Sequence, residues 1–162
     1  MELSSKVYSV GAIADYPRLF NELVRFETEL WNAVEARLRA EHDLALSWFE
    51  PMQVIERTEN CRVHDIVTAL SITVGGTSKL VDRIENAGYC RRRANPGDRR
   101  SSIIELTAAG RRLLTPATKT FTDELDFRLG SVLSPHSLEL LVRAMAKLRA
   151  ANLAAEQRER SA

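Results

Sequence analysis

A short basic run is the part of this 162-residue chain whose residue types and spacing suggest a binding chemistry. Three consecutive arginines, Arg91 to Arg93, precede a turn-forming stretch, and the sequence Asp98-Arg99-Arg100 follows it. Between Thr73 and Arg112 there are nine basic and four acidic residues, a net charge of +5, whereas the whole chain carries only +1. A nearly neutral chain with one strongly basic segment is typical of a protein that contacts phosphates locally.

The residues just before this segment predict a helix from about Thr73 to Asn86. Leu80, Val81 and Ile84 have helical spacing, and Gly88 is suited to end the helix. A B-DNA major groove, ~12 Å wide, admits one such helix. The candidate DNA contacts are small, polar or basic residues: Thr73, Gly75, Gly76, Thr77, Ser78, Lys79 and Arg83. The alternative is a solvated helix weakened by two glycines, each costing about 1 kcal/mol relative to alanine.

After Gly88 the pattern changes to one of strands. Residues 89–93 and 101–106 predict a β-hairpin whose tip contains Asn95, Pro96 and Gly97, all strong turn formers. An arginine at such a tip can enter the narrow minor groove of DNA, and Asp98 is placed to hold the guanidinium in a charge-assisted pair. The alternative is an ordinary hairpin with solvated arginines. It is less favoured because five arginines repel one another unless phosphates offset their charge.

Further helices are predicted on both sides of this segment. A helix from Tyr16 to about His42 has an apolar stripe too long to bury against a small domain, so a partner helix is expected. Ser47 and Glu50 form a potential capping box for a second helix that ends near Asn60. A short helix follows from Val63 to about Leu70.

The remaining helices follow the hairpin. Thr107 is expected to cap a helix that Pro116 kinks or splits. Ser134-Pro135 is expected to open the last helix, whose apolar residues are spaced for a coiled partner. The tail from Ala154 is polar and is expected to fray.

The stretch from Leu80 to Arg112 resembles the signature of the MarR (multiple antibiotic resistance regulator) family. The matching features are a helix ending in Gly88, the Asp98-Arg99-Arg100 tip, and Leu106-Thr107-x-x-Gly110 at the start of the next helix. The resemblance implies a mainly α fold: a winged helix-turn-helix with a two-stranded β-wing and N- and C-terminal dimerisation helices. We expect an N-terminal dimerisation helix in residues 1–42, a DNA-binding lobe in 43–110, and C-terminal dimerisation helices with a tail in 111–162, within one integrated domain.

The resemblance also implies functional roles. Arg100 would be the minor-groove arginine, Asp98 its support, and Arg99 a phosphate or groove contact. The implied protein is a homodimer that binds a double-stranded, pseudo-palindromic operator, represses transcription and is released by a small aromatic or anionic effector. Trp31, Trp48 and Phe49 would adjoin the expected effector cleft, and the alternative is that these aromatic side chains belong to the core.

Other classes of function find little support in the sequence. No Gly-rich phosphate loop or nucleophile motif is present, and His42, His64 and His136 show no metal-ligand spacing, so we predict neither an enzyme nor a metal or other cofactor. The remaining alternative is a winged-helix module for protein–protein assembly, which would not need the Asp-Arg-Arg tip.

The cysteines and the overall composition indicate the cellular setting. Composition is 44% hydrophobic and 28% charged, as in a folded globular protein. No secretory signal or membrane-spanning stretch is visible, and Cys61 and Cys90 are far apart, so we expect free thiols in the cytoplasm. Cys90 is either a semi-buried structural residue or, beside three arginines, a thiol with a lowered pKa.

Overall fold

A computed structural model describes residues 15–98 and 100–160 of the chain. The elements are α1 Tyr16–His42, α2 Leu46–Arg57, α3 Val63–Leu70, α4 Val74–Asn86, β1 Cys90–Ala94, β2 Ser102–Leu106, α5 Ala108–Leu125, a π-helix at Asp126–Gly130 and α6 Pro135–Arg160. Strands β1 and β2 form an antiparallel hairpin, the wing, in which Arg92 pairs with Ile104. This order confirms the predicted mainly α winged-helix fold.

One apolar core joins the lobe to the helices on either side of it. Helices α2, α3 and α4 and the wing supply most of its residues. The buried members include Phe49, Met52, Val54, Ile66, Val81, Ile84, Ile104 and Leu106. Val34 and Leu38 come from α1, and Leu114 and Ala117 come from α5. The orientation of the lobe is therefore fixed by packing against α1 and α5.

Helix α2 begins differently from the prediction. Its N-cap is Ala45, which has no side chain that can accept a hydrogen bond. Instead the carboxylate of Glu35, on α1, accepts from the N–H of Leu46. The predicted capping box of Ser47 and Glu50 is therefore wrong, because a neighbouring helix supplies the acceptor. The helix also ends at Arg57 rather than near Asn60.

The C-terminal helices are more continuous than predicted: Pro116 does not split α5, and α6 does not end at Ala154. Helix α5 runs through Pro116 without a break, and the hydroxyls of Thr115 and Thr118 donate to backbone carbonyls four residues earlier on either side of the proline. Helix α6 continues to Arg160 instead of fraying from Ala154. Alanine has the highest helix propensity, and the alanine-rich stretch before residue 156 accounts for this extension.

Large apolar side chains remain exposed along the outer helices. On α1 they include Leu19, Phe20, Leu23 and Val24, and on α6 they include Leu141, Met145, Leu148 and Leu153. Among the helices of residues 15–98 and 100–160, none is both long enough and apolar enough to cross a membrane. A single chain thus leaves these two helices with unpartnered apolar faces.

Candidate nucleic-acid interface

Thr73 fixes the start of α4, the candidate recognition helix. Its hydroxyl accepts a hydrogen bond from the N–H of Gly76 at 3.2 Å, and its carbonyl accepts from the N–H of Thr77 at 2.9 Å. This is the bonding of an N-cap residue. A Cβ on Gly76 would lie 3.0 Å from the Thr73 hydroxyl oxygen, so Gly76 allows the cap to sit close to the helix.

The inner face of α4 includes one residue that sequence reasoning placed outside. Thr77, Val81 and Ile84 are all fully buried. The Thr77 hydroxyl donates to the carbonyl of Thr73 at 2.8 Å, which satisfies the buried polar group. The prediction that Thr77 contacts DNA is therefore wrong. Its spacing of four from Val81 and seven from Ile84 is the signal that places it on the core face.

The outer face of α4 carries the other candidate contacts of this helix. Gly75, Lys79 and Arg83 are exposed, and Ser78 is half-buried. A Cβ on Gly75 would meet nothing within 4 Å. Among the residues that the structure describes, Lys79 and Arg83 form no ion pair. The helix therefore presents two cations and a hydroxyl beside a stretch of exposed backbone.

The chain leaves α4 through the predicted glycine. Gly88 has a φ of 81°. The N–H of Tyr89 donates to the carbonyl of Ile84 at 3.1 Å, and the N–H of Gly88 donates to the carbonyl of Glu85 at 2.8 Å. These two bonds form a Schellman motif. The motif turns the chain directly from the recognition helix into the wing.

The Leu-Thr-x-x-Gly motif ties the far end of the wing to the same turn. Thr107 donates its hydroxyl to the carbonyl of Gly88 at 2.6 Å and accepts from the N–H of Gly110 at 3.1 Å. Gly110 is buried against the carbonyl of Tyr89. One threonine thus caps α5 and anchors the turn after α4.

The arginines in the body of the wing are paired with carboxylates. Arg91 and Arg93 contact Glu105 of β2, and Arg92 contacts Asp82 and Glu85 of α4. Glu105 has a pKa below its ordinary value, above all because Arg93 donates to it. The expectation that these arginines need phosphates to offset their charge is therefore wrong. The carboxylates that offset it belong to separate elements, which are brought together only by folding.

The wing tip is organised through the backbone. The N–H of Arg100 donates to the Asp98 carboxylate at 2.9 Å, which is the main reason why the pKa of Asp98 lies below its ordinary value. The predicted ion pair between Asp98 and the Arg100 guanidinium is not present, because the carboxylate is engaged by the backbone instead. Arg100 is exposed, without an ion pair to the described residues. Arg99 lies outside the described residues.

The two cysteines are structural. Cys61 and Cys90 are both buried, and burial raises the pKa of each thiol to about 11. The alternative of a lowered pKa at Cys90 is wrong, because burial outweighs the neighbouring arginine and the nearest arginine is itself paired.

The three aromatic residues considered for an effector have different surroundings. Phe49 is fully buried, with its ring centroid 4.8 Å from that of Phe121, so none of its surface is available to a ligand in this structure. Trp48 is half-buried edge-on to Tyr89, and Trp31 is 37% exposed. An effector contact stays a prediction for the two tryptophans.

Known proteins resemble this chain both in the sequence of the winged-helix region and in fold. Residues 47–102, which span α2 to the start of β2, match the sequence model of the MarR family. The HTH-type transcriptional regulator BilQ of Clostridioides difficile is 26% identical over 68 residues, which are 42% of this chain and 46% of BilQ. The chain spans less than half the length of the curated relatives it matches.

Solved structures show the same fold at low sequence identity. Sco3205, a MarR family regulator from Streptomyces coelicolor in complex with DNA, has a TM-score of 0.78 at 18% identity, covering 87% of this chain and 90% of that one. The transcriptional repressor CouR, bound to a 23-mer DNA duplex, has a TM-score of 0.74 at 24% identity, covering 87% and 99%.

CouR from Rhodococcus jostii RHA1 also has a structure with p-coumaroyl-CoA, with a TM-score of 0.72 at 20% identity, covering 86% of this chain and 95% of that one. Sco3205 and BilQ are transcriptional regulators, and CouR is a transcriptional repressor. Residues 47–102 thus match the MarR family model, and the chain shares the winged-helix fold of solved MarR family regulators.

Proposed function

We propose that the chain is a DNA-binding transcriptional repressor that acts in the cytoplasm as a homodimer on a pseudo-palindromic operator. The observation that carries the proposal is the distribution of unpaired cations. Arg91, Arg92 and Arg93 in the body of the wing are neutralised internally, whereas Lys79 and Arg83 on α4 and Arg100 at the tip have no carboxylate partner among the described residues. Unpaired cations on one helix face and one wing tip are suited to phosphates and base edges.

Each element has its own role in the proposal. Helix α4 would enter the major groove with Ser78 and Lys79 toward the base edges, while Gly75 and Gly76 allow its backbone to approach closely. Arg100 would enter the adjacent minor groove, where a narrow groove strengthens the negative potential. Thr73 serves chiefly as the N-cap that sets the start of α4.

Dimerisation is supported by the exposed apolar faces of α1 and α6. Exposed leucines and aromatic residues on these helices would be buried between two copies of the chain. A two-fold axis would place the two α4 helices in successive major grooves, about 34 Å apart, which requires a pseudo-palindromic operator. Binding over a promoter would occlude it and repress transcription.

Release by a small aromatic or anionic effector completes the proposal. Such a ligand shifts the equilibrium only if it binds the DNA-free arrangement of the lobes more tightly than the DNA-bound one. Trp31 and Trp48 are the contacts we propose, and the structure of CouR with p-coumaroyl-CoA lends support by showing that this fold can hold an aromatic, anionic ligand.

Fluorescence anisotropy over a salt titration tests the proposal, with duplexes first selected from a random pool by the purified protein. We expect tight binding to one sequence class and a steep loss of affinity with salt. Arg100→Ala should weaken binding and reduce the salt slope by roughly one. Arg112→Ala, an exposed arginine on α5, is the matched control and should bind like the wild type.

The alternative of a protein–protein assembly module makes the opposite prediction. Weak binding that is equal across sequences and indifferent to Arg100→Ala would contradict operator recognition and favour assembly. An Arg100→Ala variant that is unfolded by circular dichroism would instead assign Arg100 a structural role.

A further inference from the structure

Arg92 connects the wing to α4 through two carboxylates. Its Nη1 donates to Glu85, its Nη2 donates to Asp82 Oδ1 at 2.6 Å, and its backbone N–H donates to Glu85 Oε1 at 2.7 Å. Asp82 and Glu85 are three residues apart on α4, so both carboxylates lie on one side of the helix. A single residue of the wing therefore holds two residues of the candidate recognition helix.

The alternation of side chains along β1 gives Arg92 this position. Arg91 and Arg93 point to the other face of the strand and pair with Glu105, within the hairpin itself. Only Arg92, among the three, links the hairpin to α4. Its side chain is 27% exposed and that of Glu85 is 32% exposed, so the pair is partly withdrawn from water and less screened by salt than a fully exposed pair.

Arg92 also lies between the two surfaces proposed to contact DNA. It lines a recess bounded by the start of α3, by α4 and by the wing, and Ser78 and Arg100 line the same recess. The covalent connection from α4 to β1 is the short turn around Gly88. The ion pairs of Arg92 with Asp82 and Glu85 form a second connection between β1 and α4, which lies beside the recess.

We propose that Arg92 is a positioning residue for DNA binding, which clamps the wing to α4 through Asp82 and Glu85 and so fixes Arg100 relative to Ser78 and Lys79. This inference rests on the proposed function, since it concerns the geometry of the same surface. Arg92 acts through its two carboxylate partners and does not itself contact phosphate.

The direction in which DNA affinity changes when one carboxylate is removed tests this role. Glu85→Met removes a negative charge near the proposed DNA surface, so electrostatics alone predicts tighter DNA binding. Loss of the clamp predicts the reverse, a roughly tenfold weaker affinity, because contacts that act as a unit are strongly coupled. The matched control is Glu59→Gln, which removes the same charge from an exposed position between α2 and α3 and should bind as tightly as the wild type or more tightly.

Salt dependence separates positioning from phosphate contact. Arg92→Met should weaken binding with an unchanged slope of log K against log salt, whereas Arg100→Ala should reduce that slope by roughly one. A slope reduced by about one in Arg92→Met would make Arg92 a phosphate contact and overturn the proposal. Asp82→Asn, at a more exposed position, is the second variant should Glu85→Met fail to fold, and it too should bind more weakly.

Amide hydrogen exchange of the DNA-free protein measures the clamp independently of DNA. The amide of Arg92, which donates to Glu85, should exchange at least roughly tenfold faster in Glu85→Met, while amides of α6 stay unchanged. If the wild type fails to bind any duplex, the proposed function fails although the exchange result stands. If the wild type binds DNA and the folded Glu85→Met and Asp82→Asn variants bind equally well or better, the positioning role is wrong.

Discussion

Gly110 packs so closely against the carbonyl of Tyr89 that a Cβ on Gly110 would lie 2.0 Å from that oxygen. This contact joins the first turn of α5 to the first residue after the Gly88 turn. It explains in physical terms why the Leu-Thr-x-x-Gly motif ends in glycine. The motif holds the base of the wing, where both strands meet the lobe.

Gly110→Ala should lower the free energy of unfolding by about 1–3 kcal/mol, because the added methyl group forces the backbone apart. Urea unfolding followed by circular dichroism measures the change. Gly97→Ala, where a Cβ would meet its nearest atom at an ordinary 3.6 Å, is the matched control and should change stability much less. If the two substitutions change the free energy of unfolding equally, the close contact between Gly110 and the Tyr89 carbonyl does not determine stability.

Gly75→Ala should raise the free energy of unfolding by up to about 1 kcal/mol, since Gly75 is helical and a Cβ there meets nothing within 4 Å. The same substitution should weaken operator binding, because the methyl group projects from the surface proposed to enter the groove. Thermal unfolding and anisotropy on one preparation measure both effects. A variant that is more stable and binds DNA as tightly as the wild type would remove Gly75 from the proposed contacts.

The sequence predicted the elements well because each has a local signal. The helical spacing around Ile84, the glycine at 88 and the threonine at 107 all act within a few residues, and the structure places them as expected. Thr77 was misplaced because a buried threonine that bonds to the preceding turn is indistinguishable, by residue type, from an exposed one.

The tertiary partners could not be predicted in the same way. Glu35 caps α2 from another helix, and Glu105 pairs with two arginines of the opposite strand. Such pairs depend on which elements meet in three dimensions, and residue spacing does not contain that information. The net charge of a segment therefore does not show which of its cations pair with carboxylates in the folded chain.

Leu141→Glu should shift the chain from dimer to monomer and reduce operator affinity with it. Leu141 is 42% exposed on α6 and belongs to an apolar series with Met145 and Leu148 at helical spacing, so a carboxylate there would have to be buried between two copies. Sedimentation equilibrium over a range of concentrations measures the change. Lys147→Glu, which places the same carboxylate at an exposed position of α6 that already carries a charge, is the control and should remain dimeric. A wild-type chain that sediments as a monomer would contradict the dimer proposal outright.

Glu124 should make the stability of the fold depend on acid pH. Its side chain is only 8% exposed and accepts from Arg37 of α1 at 2.9 Å and from Arg128 at 2.5 Å. The hydrogen bond from Arg128, followed by that from Arg37, holds the pKa of Glu124 below its ordinary value. The ionised carboxylate is thus favoured by the folded state, and its contribution is fully present above the ordinary glutamate pKa of about 4.3. That contribution is lost as the pH falls through the lower pKa of the folded protein.

Glu124→Gln should therefore cost about 1–3 kcal/mol at pH 7 and should flatten the fall in stability below about pH 4.3. Urea unfolding at a series of pH values between neutral and acid conditions measures both effects. Asp123→Asn is the control, because this neighbouring carboxylate is exposed and pairs with the exposed Lys119, an arrangement worth at most about 1 kcal/mol. If Glu124→Gln and the wild type lose stability in parallel toward acid pH, the pairing with Arg37 and Arg128 does not favour the ionised form, and the predicted pH dependence of this contact between α1 and α5 is wrong.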